Sequence, residues 1–116
     1  MPAPTLADRR LRVAERTRRL RQAIADLDIV AAGTLHIRTK TCGRANCRCA
    51  KDPSARHGPY YEWSRLIDGR LVHTTLSKEQ GELLQRAIEN RHTVEALMTE
   101  WEAETAVEVL DAKNRG

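Results

Sequence analysis

A chain of 116 residues, 41% hydrophobic and 31% charged, is long enough for one small domain with helical extensions, and its aromatic side chains are limited to Trp63, Trp101, Tyr60 and Tyr61, with no Phe. So small a core calls for help from a bound metal, a partner subunit or both. No apolar run approaches the roughly 20 residues that cross a bilayer, and Met1-Pro2-Ala3-Pro4 lacks the charged-then-apolar order of a signal peptide, so a membrane protein is excluded and a cytoplasmic one expected.

The net charge of +4 conceals an asymmetry: residues 1–58 hold 13 Lys/Arg against 5 Asp/Glu, and residues 59–116 hold 7 against 11. A basic half is a candidate phosphate-binding surface, unless the acidic half neutralises it.

Thr5-Leu6-Ala7-Asp8 predicts a helix start, with Thr5 as N-cap and Asp8 at the third helical position, and Gly33 predicts the stop. Leu6, Val13, Leu20 and Leu27 recur every seven residues, and Ala23, Ile24 and Val30 widen the apolar stripe toward the end, so burial is expected in the last three turns. Arg9, Arg12, Arg16 and Arg19 fall within an arc of about 80° at 100° per residue, a concentrated positive edge.

The segment from Gly33 to Thr41 alternates Leu35 and Ile37 with His36, Arg38 and Lys40, as a half-buried strand does. It runs into Cys42, Cys47 and Cys49, the only cysteines of the chain, and His57 follows in His57-Gly58-Pro59-Tyr60-Tyr61. An odd cysteine count cannot close into disulfides within one chain, and a reducing compartment favours metal ligation. Three thiolates and an imidazole match a closed tetrahedral zinc site of structural rather than catalytic type. His57 is the preferred fourth ligand, with His36, His73 and Asp52 as alternatives. Residues 43–59 lack periodicity and read as a loop of about 17 residues, which inside a small domain requires an organiser such as the metal.

Asp68-Gly69 between Tyr60–Ile67 and Arg70–Leu76 predicts a two-residue hairpin. Its register sets Ile67 against Arg70, Arg65 against Val72, Trp63 against Thr74 and Tyr61 against Leu76, with Tyr61, Trp63, Val72 and Leu76 facing inward and Glu62, Ser64, His73 and Thr75 forming a polar outer face. Ser77-Lys78-Glu79-Gln80 is a capping box opening a helix to about Asp111. At 1.5 Å per residue it would be roughly 50 Å long. Leu84, Ala87, Arg91, Val94, Met98, Trp101 and Thr105 follow a 3-4-3-4 spacing that predicts a coiled-coil seam, with Leu84, Val94, Met98 and Trp101 as its dimerisation contacts. Disorder is expected only in the last few residues.

The cysteine spacing, the His-Gly-Pro-Tyr run, the hairpin and the long charged helix together resemble a family of small uncharacterised bacterial and archaeal proteins whose genes often sit near transposases and other mobile elements. The resemblance covers about residues 33–100 and leaves the arginine helix outside. It implies a mobile-element association and no established activity.

The reading is thus an α+β protein: a basic N-terminal helix (1–32), a zinc-stapled β domain with a three-stranded antiparallel sheet (33–76), and a long C-terminal helix (77–116). The expected function is that of a non-enzymatic zinc-containing DNA-binding or accessory protein, a homodimer, with Arg9, Arg12, Arg16, Arg19, Arg38, Lys40, Arg65 and Arg70 contacting phosphates of double-stranded DNA. The alternative is an adaptor whose long helix docks on a larger protein partner while basic and acidic helices pair internally. A tyrosine-nucleophile site could be drawn from Tyr60 or Tyr61 with Arg65 and His73, but the hairpin accounts for the tyrosines and no second carboxylate or histidine cluster supports catalysis.

Overall fold

The computed structural model describes residues 2–112; the tail expected to be disordered lies mostly outside them. The elements are an N-terminal helix α1 (Leu6–Ala25), three strands β1 (Thr34–Lys40), β2 (His57–Ile67) and β3 (Arg70–Leu76), and a C-terminal helix α2 (Lys78–Asp111). This is the predicted α+β fold. The sheet is antiparallel in the order β1-β2-β3, and the chain forms two compact units: Val30–Glu89, and the chain up to Ile29 joined with that from Asn90 onward.

In the first of these, every predicted hairpin pair is present, from Ile67 opposite Arg70 to Tyr61 opposite Leu76. The turn holds that register because Asp68 and Gly69 both adopt positive φ, 51° and 78°, whose twist matches that of the strands. Tyr61, Trp63, Arg65, Val72, Thr74 and Leu76 are half-buried on one face. The Trp63 indole Nε1 donates to the Ala32 carbonyl at 2.9 Å, and the Arg65 guanidinium lies 3.9 Å over the Trp63 ring. Gly33 (φ +106°) fits beneath this corner, where a Cβ would lie 2.5 Å from the Ser64 carbonyl.

The opposite face departs from the expected solvated polar surface. Ser64 is only 8% exposed, and its Oγ is 2.8 Å from His73 Nδ1. Glu62 accepts from Arg38 at 3.0 Å and lies 3.6 Å from His73 Nδ1. At the hairpin tip this face carries the exposed cross-strand pair Leu66 and Leu71.

Helix α2 opens with the predicted box: Gln80 N–H donates to Ser77 Oγ at 3.1 Å and Ser77 N–H to Gln80 Oε1 at 2.9 Å. Gly81, Leu84 and Ala87, three residues apart and therefore on one face, are the buried residues of the helix.

In the second unit α1 and α2 run antiparallel. Arg9 pairs with Asp111, Arg16 with Glu104, each at 3.2 Å, and the Asn90 amide donates to the Ile29 carbonyl at 2.9 Å. Thr5 is the predicted N-cap, and Asp8 adds a reciprocal bond by accepting from the Thr5 N–H, which completes a capping box. The helix ends at Ala25, well before Gly33. Asp26 and Asp28 place carboxylates at its negative end, which disfavours another turn. Burial is also not concentrated in the last turns: Val13, in the middle, is the buried residue, and Leu20, Ala23, Ile24 and Leu27 are half-buried. Among the described residues no helix is long and apolar enough to cross a membrane.

Candidate metal centre

The long loop acquires structure from short-range hydrogen bonds. Gly43, at φ +79°, turns the chain after Cys42. Cys47 N–H donates to the Arg44 carbonyl at 3.1 Å, and a 3-10 turn over Arg48–Ala50 follows, carrying Cys49. A second 3-10 turn, Pro53–Ala55, is capped by Asp52, whose Oδ1 accepts from the Ser54 N–H at 3.0 Å and hydroxyl at 2.7 Å. Arg48 donates to the other oxygen of Asp52 at 3.2 Å. The chain then rejoins the sheet earlier than the predicted loop 43–59 allows: His57 opens β2 opposite Lys40, next to an irregularity in β1 between Arg38 and Lys40.

These turns bring Cys42, Cys47, Cys49 and His57 together, with one ligand atom from each lying within 4.8 Å of all the others. Cys49 Sγ is 3.6 Å from Cys42 Sγ and 3.3 Å from Cys47 Sγ, and Cys47 Sγ is 3.5 Å from His57 Nε2. Four ligands at tetrahedral angles about zinc, with Zn–S near 2.3 Å, lie about 3.7 Å apart, so the donor set fits a metal ion. Cys49, 2% exposed, is the hub, while Cys42 and His57 are exposed. The Cys42 N–H donates to Cys49 Sγ at 3.4 Å, a backbone contact that stabilises a ligating thiolate.

The thiols perturb one another. The Cys47 thiol is held below its ordinary pKa, first by the Cys49 backbone N–H and then by the Cys49 and Cys42 thiols. For Cys49 the Cys42 backbone N–H acts downward, but burial and the two neighbouring thiols outweigh it and the net shift is upward. One low-pKa thiol beside one held protonated is what crowded sulfurs show until a cation takes up their charge.

The alternative fourth ligands are engaged elsewhere: His36 faces Glu62 across the sheet, His73 bonds Ser64, and Asp52 bonds Ser54 and Arg48. Strand alternation puts Tyr61 and Arg65 on the face opposite Ser64 and His73. Glu62, Ser64 and His73 share the outer face on which the hairpin register places them, and what the register does not give is the bond between Ser64 and His73. Both Ser64 and Glu62 approach the same His73 nitrogen, which is not the two-nitrogen relay of a catalytic triad.

The residues predicted to contact phosphate are divided between the two units, and several of them already have partners. Arg9, Arg16, Arg19 and Arg38 each hold a carboxylate, those of Asp111, Glu104, Glu15 and Glu62. Lys40 lies 5.3 Å over the Tyr60 ring, and Arg65 is stacked on Trp63 with its Nε lacking a hydrogen-bond partner among the described residues. Arg12 and Arg70 are exposed. Of the predicted dimer contacts, Leu84 is buried in the sheet-containing unit, whereas Val94, Met98 and Trp101 line one apolar groove with Ile24 and Thr105.

No curated protein and no solved structure matches the chain. One family model does, described as a domain of unknown function, DUF6788, and it matches residues 10–86, taking in most of α1, the sheet, the cysteine loop and the start of α2. With about two thirds of its length matched, the chain belongs to the DUF6788 family.

Proposed function

We propose that this chain is a non-enzymatic, zinc-containing DNA-binding or accessory protein linked to a mobile element or its regulation. The observation that carries the reading is the Cys42, Cys47, Cys49 and His57 cluster, which supplies a full tetrahedral set and so leaves no coordination position for a reacting water. Bound there, zinc supplies a cross-link between the loop and the start of β2, the stabilisation a small core needs. The chain's basic balance supports a nucleic-acid partner, and the sequence resemblance supports the mobile-element link. Elemental analysis of purified protein tests the metal, with about one zinc per chain expected from a single four-ligand site. Fluorescence anisotropy with labelled duplex and single-stranded DNA across a salt series tests the partner, with affinity expected to fall steeply as salt rises.

A second reading, an adaptor docking on a larger protein, is favoured by Arg9–Asp111 and Arg16–Glu104, which remove two helix cations from any phosphate surface. No DNA binding at low salt, together with a stable mixed complex in pull-down, would select it. Self-association through Val94, Met98 and Trp101 is compatible with either.

A further inference from the structure

We infer that the phosphate-contacting surface of this protein is the rim of the metal loop, built on Arg44, Lys51 and Arg56, and that the paired arginines of the N-terminal helix contribute little. The inference rests on the nucleic-acid reading above and locates its site.

Between Arg38 and Tyr60 the chain places six cations, Arg38, Lys40, Arg44, Arg48, Lys51 and Arg56, against a single acid, Asp52. Asp52 is already engaged by Arg48, so it does not compete for the others. Arg44, Lys51 and Arg56 are all exposed and have no carboxylate partner among the described residues. A divalent ion with three thiolates carries a net charge of −1, which leaves the loop strongly positive. On α1, Arg9, Arg16 and Arg19 are held by carboxylates, while Arg10, Arg12, Arg18 and Arg21 are exposed, so what sets the loop apart is its arrangement rather than its charge alone.

Arrangement reinforces charge. Arg44 shares an open cleft with Asn46 and the ligands Cys42, Cys47 and His57, and Arg56 immediately precedes His57. The ligands that fix the metal therefore also fix the backbone carrying these cations, which lowers the entropy lost when they meet a row of phosphates. Beside them Tyr60 is 41% exposed, an aromatic ring of the kind on which an unpaired base stacks. An anionic membrane is the poorer match, since the exposed residues at 42–56 include no large apolar side chain that would insert into lipid. The occupant is the phosphate backbone of a nucleic acid.

The test compares the zinc-loaded full chain with a loop variant, Arg44→Gln/Lys51→Gln/Arg56→Gln, and a helix variant, Arg12→Gln/Arg16→Gln/Arg19→Gln, by anisotropy with a fluorescein-labelled duplex and its single strand. The loop variant should lose about 30-fold or more in affinity at about 0.1 M salt, with a salt slope shallower by about 3. The helix variant should stay within about threefold of the parent, because two of its three cations, Arg16 and Arg19, are internally paired. Zinc content and melting temperature establish that the loop variant is folded. If they drop, Arg44→Gln alone and the charge-keeping Arg44→Lys/Arg56→Lys replace it, the first weakening binding and the second keeping it. Parent-like binding by a folded loop variant, with loss in the helix variant, overturns the location and leaves the nucleic-acid reading standing. Absence of binding by the parent protein at low salt, including binding to phosphatidylserine vesicles instead, defeats both.

Discussion

Gly81 of α2 lies directly against the ring of Tyr61 in β2: a Cβ on the glycine would sit 2.5 Å from Cδ1 and 2.9 Å from Cγ. The first turns of α2 are seated on the sheet through this contact, with Leu84 and Ala87 continuing the same buried face. A glycine inside a helix is normally a weakness, and alanine in its place gains up to about 1 kcal/mol of helix propensity. Here the sign reverses, because the atoms a methyl would meet are the root of a ring held in the sheet rather than the tip of a flexible side chain. Gly81→Ala should destabilise the protein by about 1–2 kcal/mol in urea unfolding, as overpacking outweighs propensity. With Tyr61→Ala already present, the same change should become neutral or stabilising. A stabilising Gly81→Ala in the parent background would show that the ring is free to move away.

Removal of the metal should be most severe at the hub. Cys49 is the buried sulfur and contacts both other thiols, whereas His57 is exposed and closes only one side. If zinc is the ion held here, Cys49→Ser should lower its content to near zero, while His57→Ala should retain weaker binding through the three thiolates. A strong chelator should lower the melting temperature of the parent and leave that of Cys49→Ser unchanged. Equal melting curves for the parent with and without chelator would mean that the loop is held by its hydrogen-bonded turns alone.

Local chemistry made much of this fold legible. Asp68-Gly69 determines a turn with two positive φ values, and alternation then determines every pair of the hairpin. The two capping boxes are likewise signals within four residues, Thr5 to Asp8 and Ser77 to Gln80. The cysteine cluster was readable because three soft ligands in eight residues have few other uses. What stayed hidden depends on separation in sequence. Charge patterning offers the pairing of a basic with an acidic helix as an alternative to a phosphate surface, but nothing near Arg9 or Arg16 says that their partners are the carboxylates 102 and 88 residues away. The bond from Ser64 to His73 was obscured differently: a polar serine on a polar face gives no sign that it will be buried.

The N-terminal cap carries a pH dependence whose sign can be worked out. The Asp8 carboxyl is held below its ordinary 3.8, first by the Thr5 backbone N–H and then by the Thr5 side chain. Since the native state binds this proton less tightly than the unfolded chain does, the contribution is fully present above the unfolded value and is lost as pH falls through and below 3.8. Far-UV circular dichroism in acid should show the parent losing stability over that range, and Asp8→Asn should be less stable at neutral pH with a flatter acid profile. An unchanged profile would place the acid sensitivity in other carboxylates.

The groove lined by Ile24, Val94, Met98, Trp101 and Thr105, where Met98 is 48% exposed and Trp101 half-buried, is where self-association can be tested. Because Leu84 is buried beside Gly81 and Ala87 in the other unit, any seam used between chains must begin beyond it, at Val94. Trp101→Glu places a charge in that groove, whereas Leu84→Ala removes only internal packing. If two chains meet here, light scattering should find Trp101→Glu at the monomer mass and the parent at twice that mass, with Leu84→Ala destabilised by about 2–5 kcal/mol yet still associating when folded. A parent that stays at the monomer mass over a wide concentration range would assign Trp101 to packing within its own chain.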